Sequence, residues 1–292
     1  PTGINSPSMG VLNTYWEKLT IDANSPITVG TEQGTVLEWD FDANEWVENK
    51  SVKVDQVGAL FLIASSSSPV LEDDDLIYPT GLGRRFIADV NNLAFRFGEL
   101  TNDGTLWDKS NMGFGSVVFG KDNNVASAAN FGFIGGGEEN QITAGDNNLI
   151  VGGQKNTNSA TRRSYIFGGA GNTINGVELN AIIAGAENTN SGDFRSSIFG
   201  GNLNEITTGF DNVIVGGIKN SNSAFFRSSI FGGNQNEITT GNDNVIVGGT
   251  ENTNSANRRS NIFGGDNNSI TTGNNIVIVG GSNNTNSPFD RT

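Results

Sequence analysis

Residues 229–260 read SIFGGNQNEITTGNDNVIVGGTENTNSANRRS. This is one sixteen-residue phrase written twice, first as S-I-F-G-G-x-x-N and then as V-I-V-G-G-x-x-N. Set out on the same interval, the C-terminal part of the chain falls into columns. Asparagine fills one of them in every row: Asn124, Asn140, Asn156, Asn172, Asn188, Asn204, Asn220, Asn236, Asn252, Asn268 and Asn284. Isoleucine fills another: Ile134, Ile150, Ile166, Ile182, Ile198, Ile214, Ile230, Ile246, Ile262 and Ile278, with Val118 in the first row. A glycine pair follows, with Ala184 and Lys121 as lapses, and a Ser/Thr column runs from Ser127 to Ser287, broken by Asn175. Self-similarity at a fixed short period is the signature of a solenoid.

The repeat is β rather than helical. Its apolar positions are β-branched or aromatic, its glycines sit at fixed offsets, and strong helix formers are sparse. Sixteen residues are too few for two helices and a turn, but they suit two short strands with tight corners. Stacked at the usual strand spacing of about 4.8 Å, the rows predict a rod about 50 Å long. The asparagine column predicts a ladder in which amides stacked one per rung satisfy each other along the axis.

Neighbouring rows alternate. Phe167, Phe199, Phe231 and Phe263 follow the isoleucine in one set, and Val151, Val215, Val247 and Val279 in the other, with Ile183 among them. Two places after the ladder, Ile142, Ile174, Ile206, Ile238 and Ile270 alternate with Asn158, Asn190, Asn222, Asn254 and Asn286. Arg163, Arg195, Arg227, Arg259 and Arg291 recur in every second row, with Asp211 and Asp243 in rows between. A thirty-two-residue coil would stack arginine on arginine, a like-charge column. A sixteen-residue coil interleaves them with Asp or Asn and is preferred; Arg227 with Asp243 is the representative cross-rung pair. Successive side chains of a strand face opposite sides, so the adjacent large residues of SIFGG and VIVGG make both faces apolar. One face fills the core, and the other leaves a stripe, marked by the four phenylalanines, that calls for burial in an oligomer.

The composition limits function. The chain has 292 residues with 17 basic and 31 acidic side chains, a net charge of −14, which argues against nucleic acid or an anionic membrane as partner. It has no Cys and no His, which removes disulfides, thiol and imidazole catalysis and Cys/His zinc sites; no cofactor is expected. No apolar run reaches the roughly 20 residues of a membrane span, and no signal-like start is present, so no membrane insertion is expected. Composition changes near residue 111: Trp16, Trp39, Trp46 and Trp107 all precede it, and 31 of the 40 glycines follow it. A small β-rich domain is therefore expected at 1–112 and the solenoid at 113–292. Stretches such as GTVLEWDF, EWVENKSVKV, GALFLIAS and RRFIADVNNLAFRFG read as the strands of the first domain, which would cap the first rung or dock the rod.

The pieces SSIFGGNLNEITTG, DNVIVGGIKNSNSA and SNIFGGDNNSITTG resemble the repeats of the YadA-like head, the left-handed parallel β-roll of trimeric autotransporter adhesins, and the similar repeats of phage tail fibres. The resemblance covers about residues 113 to 292, in rows longer than those of the adhesin heads. It implies an all-β, left-handed roll assembled as a homotrimer and used as a projecting adhesive or spacer element.

The expected function is therefore a non-enzymatic fibre or spike of a virion or phage-tail-like particle. Such a fibre docks through its N-terminal domain to another particle or fibre protein and meets a cell-surface receptor or glycan. The alternative is a secreted or cell-surface trimeric adhesin of the same fold. A glycan-degrading spike needs a unique pair of carboxylates, whereas Glu205 and Glu237, or Asp211 and Asp243, occupy repeated positions. The doublets Thr207-Thr208, Thr239-Thr240 and Thr271-Thr272 invite an ice-binding reading, but adjacent threonines face opposite sides of a strand. Calcium has no recognisable loop spacing at Asp146, Asp211 or Asp243, and the acidic run Glu72–Asp75 reads as solvated. No catalytic residue is named.

Overall fold

The structure is a computed structural model that describes residues 35–40, 45–54, 60–63, 81–89 and 92–287. The acidic run at 72–75, Arg291, Trp16 and the side chains of Trp39 and Trp46 lie outside the described residues. The architecture is all-β; among the described residues the helical element is one 3-10 turn, Lys109–Asn111. Two long sheets face each other, one of 16 strands and one of 11. The larger starts with five strands from the N-terminal region: β1 (Thr35–Asp40), β2 (Glu45–Val54), β3 (Leu60–Ile63), β4 (Gly83–Asp89) and β5 (Ala94–Leu100). These pair antiparallel in sequence order. Then β5 pairs in parallel with β6 (Val117–Lys121), and every later rung is parallel.

The coil is sixteen residues long. Ile230 pairs with Ile214 on one side and Ile246 on the other, and Val215 lies against Phe231. The alternation therefore runs up the rod rather than around it, which excludes the thirty-two-residue coil. Each coil contributes one strand of two or three residues to each sheet, such as Ser229–Phe231 and Glu237–Ile238, so most of it is corner. The corners are laddered as well. Isolated parallel bridges such as Ile218↔Asn234 and Phe210↔Phe226 link them from coil to coil. A residue with positive φ recurs every eight positions from Phe131 to Asn283, with φ of 45° to 59° wherever it carries a side chain. Each coil is thus two half-turns of equal length, each closed by a left-handed residue.

The glycine pairs divide the work of the first corner. A Cβ on Gly248 (φ +66°) would meet nothing within 4 Å, whereas one on Gly249 (φ +84°) would lie 2.3 Å from the Gly265 carbonyl oxygen and 2.4 Å from Asn252 Nδ2. Ala184, the natural lapse, occupies the roomy first place with φ 61°.

The first coil departs from the sequence columns. Val118 pairs with Ile134 at an interval of sixteen, but Val125 pairs with Ile142 at seventeen, because the corner after Gly120 is one residue shorter. Lys121 is therefore already level with Glu138. The ladder position goes to Asn123, whose Oδ1 accepts the Asn140 N–H at 2.7 Å, and not to Asn124, whose buried Oδ1 has no hydrogen-bond partner. The column that placed Asn124 in the ladder is corrected by that one-residue slip.

Three buried side chains tie β5 and its connection to this first coil. The fully buried Arg96 guanidinium donates to the carbonyls of Phe95, Ser116 and Val125 and to Ser116 Oγ. Burial pushes Arg96 down to about 9, with Asp89 opposing the shift. Trp107, also fully buried, donates its indole N–H to the Asn123 carbonyl at 2.7 Å. Asp122 accepts the backbone N–H groups of Thr101 and Asn102.

The two glycines of a pair should respond differently to alanine. Gly248→Ala is expected to cost about 1–2 kcal/mol, the cost of a left-handed residue with a Cβ. Gly249→Ala, which adds a clash with backbone, should cost at least about twice that. Urea denaturation of the two variants measures the difference, and equal losses would contradict the assigned corner.

Candidate functional site

Two invariant columns run through the interior. The isoleucines Ile150, Ile166, Ile182, Ile198, Ile214, Ile230, Ile246 and Ile262 are fully buried, and Ile278, in the last described coil, is 8% exposed. Beside them run the asparagines Asn140 to Asn268, which are also fully buried. A surface-turn role for these amides is thereby excluded. In each coil Oδ1 accepts the backbone N–H of the asparagine sixteen residues on, as from Asn236 to Asn252 at 3.1 Å and from Asn252 to Asn268 at 3.0 Å. Nδ2 of Asn236 donates to the carbonyls of Gly232 (3.2 Å) and Gly249 (3.0 Å), so one amide closes its own corner and the next. Direct amide-to-amide bonds join most successive rungs, including Asn140 to Asn156 and Asn268 to Asn284. The ladder is thus chiefly a device for satisfying corner backbone, with side-chain stacking added to it.

A second ladder, which the columns did not reveal, stands at the other corner. Its members alternate as Asn148, Ser164, Asn180, Ser196, Asn212, Ser228, Asn244 and Ser260. Ser228 N–H donates to Asn212 Oδ1 at 3.0 Å, and Asn244 N–H to Ser228 Oγ at 3.1 Å. Serine has no amide, and the core position of the same coils holds an asparagine that adds one. Asn222 Nδ2 donates to the Ser228 carbonyl at 2.9 Å while its Oδ1 accepts the Ala224 N–H at 3.2 Å. Where the ladder residue is asparagine, isoleucine takes the core place, as with Ile238 and Asn244. The Ile/Asn alternation is therefore coupled to an Asn/Ser alternation across the roll. Only the fixed eight-residue interval between ladders could have disclosed this in the sequence.

Outward, the two sheets differ sharply. On the larger sheet the residue after each core isoleucine faces solvent: Val151, Phe167, Ile183, Phe199, Val215, Phe231, Val247 and Phe263 are between 39% and 47% exposed. At about 4.8 Å per rung this single apolar column runs for more than 30 Å. The smaller sheet is polar. It carries two outward columns two residues apart, such as Thr189 with Ser191 and Thr253 with Ser255, broken by Glu205 and Glu237. A two-column hydroxyl face therefore does exist, although interrupted, and the Thr207 and Thr239 hydroxyls are spent on Ser223 and Ser255 at 2.7 Å.

Charge pairing follows the rungs. Arg195 Nε lies 2.9 Å from Asp211, Arg227 Nε lies 3.1 Å from Asp243, and Arg163 pairs with Glu178. The arginines are exposed and their acids partly buried, and each pair contributes at most about 1 kcal/mol. The remaining distinctive feature is aromatic. Phe194, Phe210 and Phe226 stack up the second corner, with centroids 5.6 and 5.0 Å apart, and Phe225 stands edge-on to Phe226 at 4.6 Å. Beside the first coil, a cleft of about 340 Å³ is lined by Asn102, Asp103, Asp122, Glu139 and Lys155, among others, with Glu139 held by Lys155 at 3.4 Å.

The chain matches no protein-family model and no curated protein. The class it defines by its own geometry is that of a repeat protein, a parallel β-solenoid of sixteen-residue coils.

Removing one ladder amide tests this account. Asn236→Ala leaves the buried Asn252 N–H without its acceptor and is expected to cost about 2–3 kcal/mol. Asn236→Asp keeps the acceptor but buries a carboxylate, which raises its pKa above the unfolded value. Its loss should exceed that of alanine at pH 7 and shrink as pH falls toward the ordinary range near 3.9. Denaturation midpoints at pH 7 and pH 4 decide; a loss independent of pH would show that the amide donor has no such role.

Proposed function

We propose that this chain is a non-enzymatic structural fibre or spike component of a virion or phage-tail-like particle, in which the solenoid rods associate as a homotrimer. The observation that carries this reading is the apolar column on the larger sheet. A soluble monomer rarely leaves so continuous an apolar surface in water, and burying it is the natural driving force for association. A cyclic arrangement with its axis parallel to the rods turns every stripe inward and leaves the polar sheet outside. The stacked coils make a rigid spacer. The N-terminal segment, joined to the first coil through β5, Arg96 and Trp107, is suited to docking on another particle protein. The hydroxyl-rich outer sheet and the corners are the surfaces left for a cell-surface receptor or glycan.

The native mass of the purified chain, taken by light scattering at two concentrations, tests the assembly. Three times the chain mass at both concentrations is expected, and a monomer at both would overturn the proposal. Phe199→Glu with Phe231→Glu puts two carboxylates in the stripe of every copy. This variant should keep the far-UV β signal and lose the trimer at micromolar concentration. A trimer unchanged by both substitutions would mean that the stripe is not the contact.

A further inference from the structure

Each coil flanks the apolar sheet face with two corners. In the coil 213–228, for example, the first corner follows the Val213–Val215 strand and the second precedes the next strand at Ser229. Any cyclic assembly whose axis runs parallel to the rods sets the first corner of one copy against the second corner of its neighbour. Symmetry holds the two at the same coil, within about half a rung of 4.8 Å. The corners can therefore be compared level by level within one chain.

Large exposed apolar side chains on the first corner are confined, among the described residues, to Leu203 (40% exposed) and Ile218 (49%). They stand in two successive coils, and those same coils place Phe210, Phe225 and Phe226 on the second corner, with Phe225 57% exposed. In other coils the first corner holds small or polar residues such as Glu139, Lys155, Gly171 and Glu251. The charges agree with the same pairing. Where like charges would meet across the seam, Glu138 and Glu139 are already held by Lys121 and Lys155, Arg163 by Glu178, and Arg227, level with Lys219, by Asp243. In coil 245–260, by contrast, Glu251 on the first corner is level with Arg258 and Arg259 on the second.

We infer that Leu203 and Ile218 of one copy pack against the Phe210, Phe225 and Phe226 cluster of the next, an apolar weld at mid-rod. A neighbour slid by two coils would still match Phe with Phe along the stripe and would set Leu203 and Ile218 against Val177, Leu179 and Phe194, so closure of the ring fixes the level arrangement and the weld adds to it. This inference rests on the assembly proposed above.

The chain has no cysteine, so a disulfide reports the seam without background. Ile218→Cys with Phe225→Cys places both thiols in one coil on opposite sides of the sheet. A disulfide needs Cα atoms within about 7 Å, so the bond forms between neighbouring copies. Oxidation is expected to give reductant-sensitive dimer and trimer bands in most of the protein, while each single variant gives a small fraction. Leu203→Cys with Phe225→Cys, one coil apart, is the second variant should the first fold poorly by far-UV dichroism. Phe225→Cys with Ser282→Cys, four coils apart, serves as the out-of-register control. The native mass of the reduced variant is read in parallel. An oligomer whose level pairs stay monomeric on oxidation, or in which the control pair crosslinks instead, overturns the weld and leaves the assembly standing. A monomeric mass overturns both.

Discussion

The buried asparagine amide at the first corner is the contact on which the rest of this structure depends. A coil of sixteen residues with strands of two or three leaves most of its backbone in corners, where the sheet ladders alone do not satisfy every polar group. An unsatisfied buried backbone group costs about 1–3 kcal/mol, and a solenoid would incur that cost again in each coil. At the first corner one side chain per coil meets the need, because an amide has an acceptor for the next coil's N–H and two donors for corner carbonyls. Aspartate lacks the donors and alanine has nothing to offer. The second glycine of each pair follows from the same contact: the amide lies so close to the backbone there that a Cβ at Gly249 would fall 2.4 Å from Asn252 Nδ2.

The alternation of rows is the less obvious consequence. At the second corner the ladder residue is asparagine in one coil and serine in the next, and each asparagine serves corner carbonyls in both, as Asn212 does for Thr208 and Ala224. The core residue of the same coil alternates in step, asparagine beside serine and isoleucine beside asparagine, and Asn222 adds an amide bond to the Ser228 carbonyl, which also accepts the Val213 N–H. Two coil types arise, each complete only as a set of two coupled positions. The outward residues alternate at the same interval, Phe with Val and Arg with Asp or Asn. The outward alternation keeps Arg195 and Arg227 next to Asp211 and Asp243 instead of next to each other.

Much of this was legible in the sequence because a solenoid writes its contacts at a constant interval. The period, the β character, the buried isoleucine column and the outward stripe all follow from adjacency in SIFGG and VIVGG. The asparagine column also pointed to the ladder, though not to its main partners, which are backbone groups and leave no trace in the sequence. Three features were hidden for physical reasons. The second ladder was masked because two residue types share it. The slip at Asn123 was masked because a one-residue deletion near Gly120 is compensated before Phe131, so the letters still align while the corner does not. The joining of β5 to β6 in parallel depends on Arg96 and Trp107 finding carbonyls in the first coil, a long-range match that no local pattern encodes.

The separation of inward and outward columns has a bearing on function. Inward positions are constrained by the corner backbone: the first-corner asparagine and the core isoleucine after it do not vary between Asn140 and Asn268, and the other ladder and its core neighbour keep to two residue types each. Outward positions touch nothing within the coil that would restrict them, so what they display reflects the surroundings of the rod. A rod with no partner along its length would be expected to present the same mixture of polar residues on both sheets, since polar side chains on a flat face oppose edge and face association. Here the two sheets share one backbone geometry and yet differ, the smaller bearing Thr, Ser and Glu and the larger an uninterrupted line of Val, Ile and Phe. The fold does not require that difference. Burial of the larger sheet in the assembly proposed above would account for it.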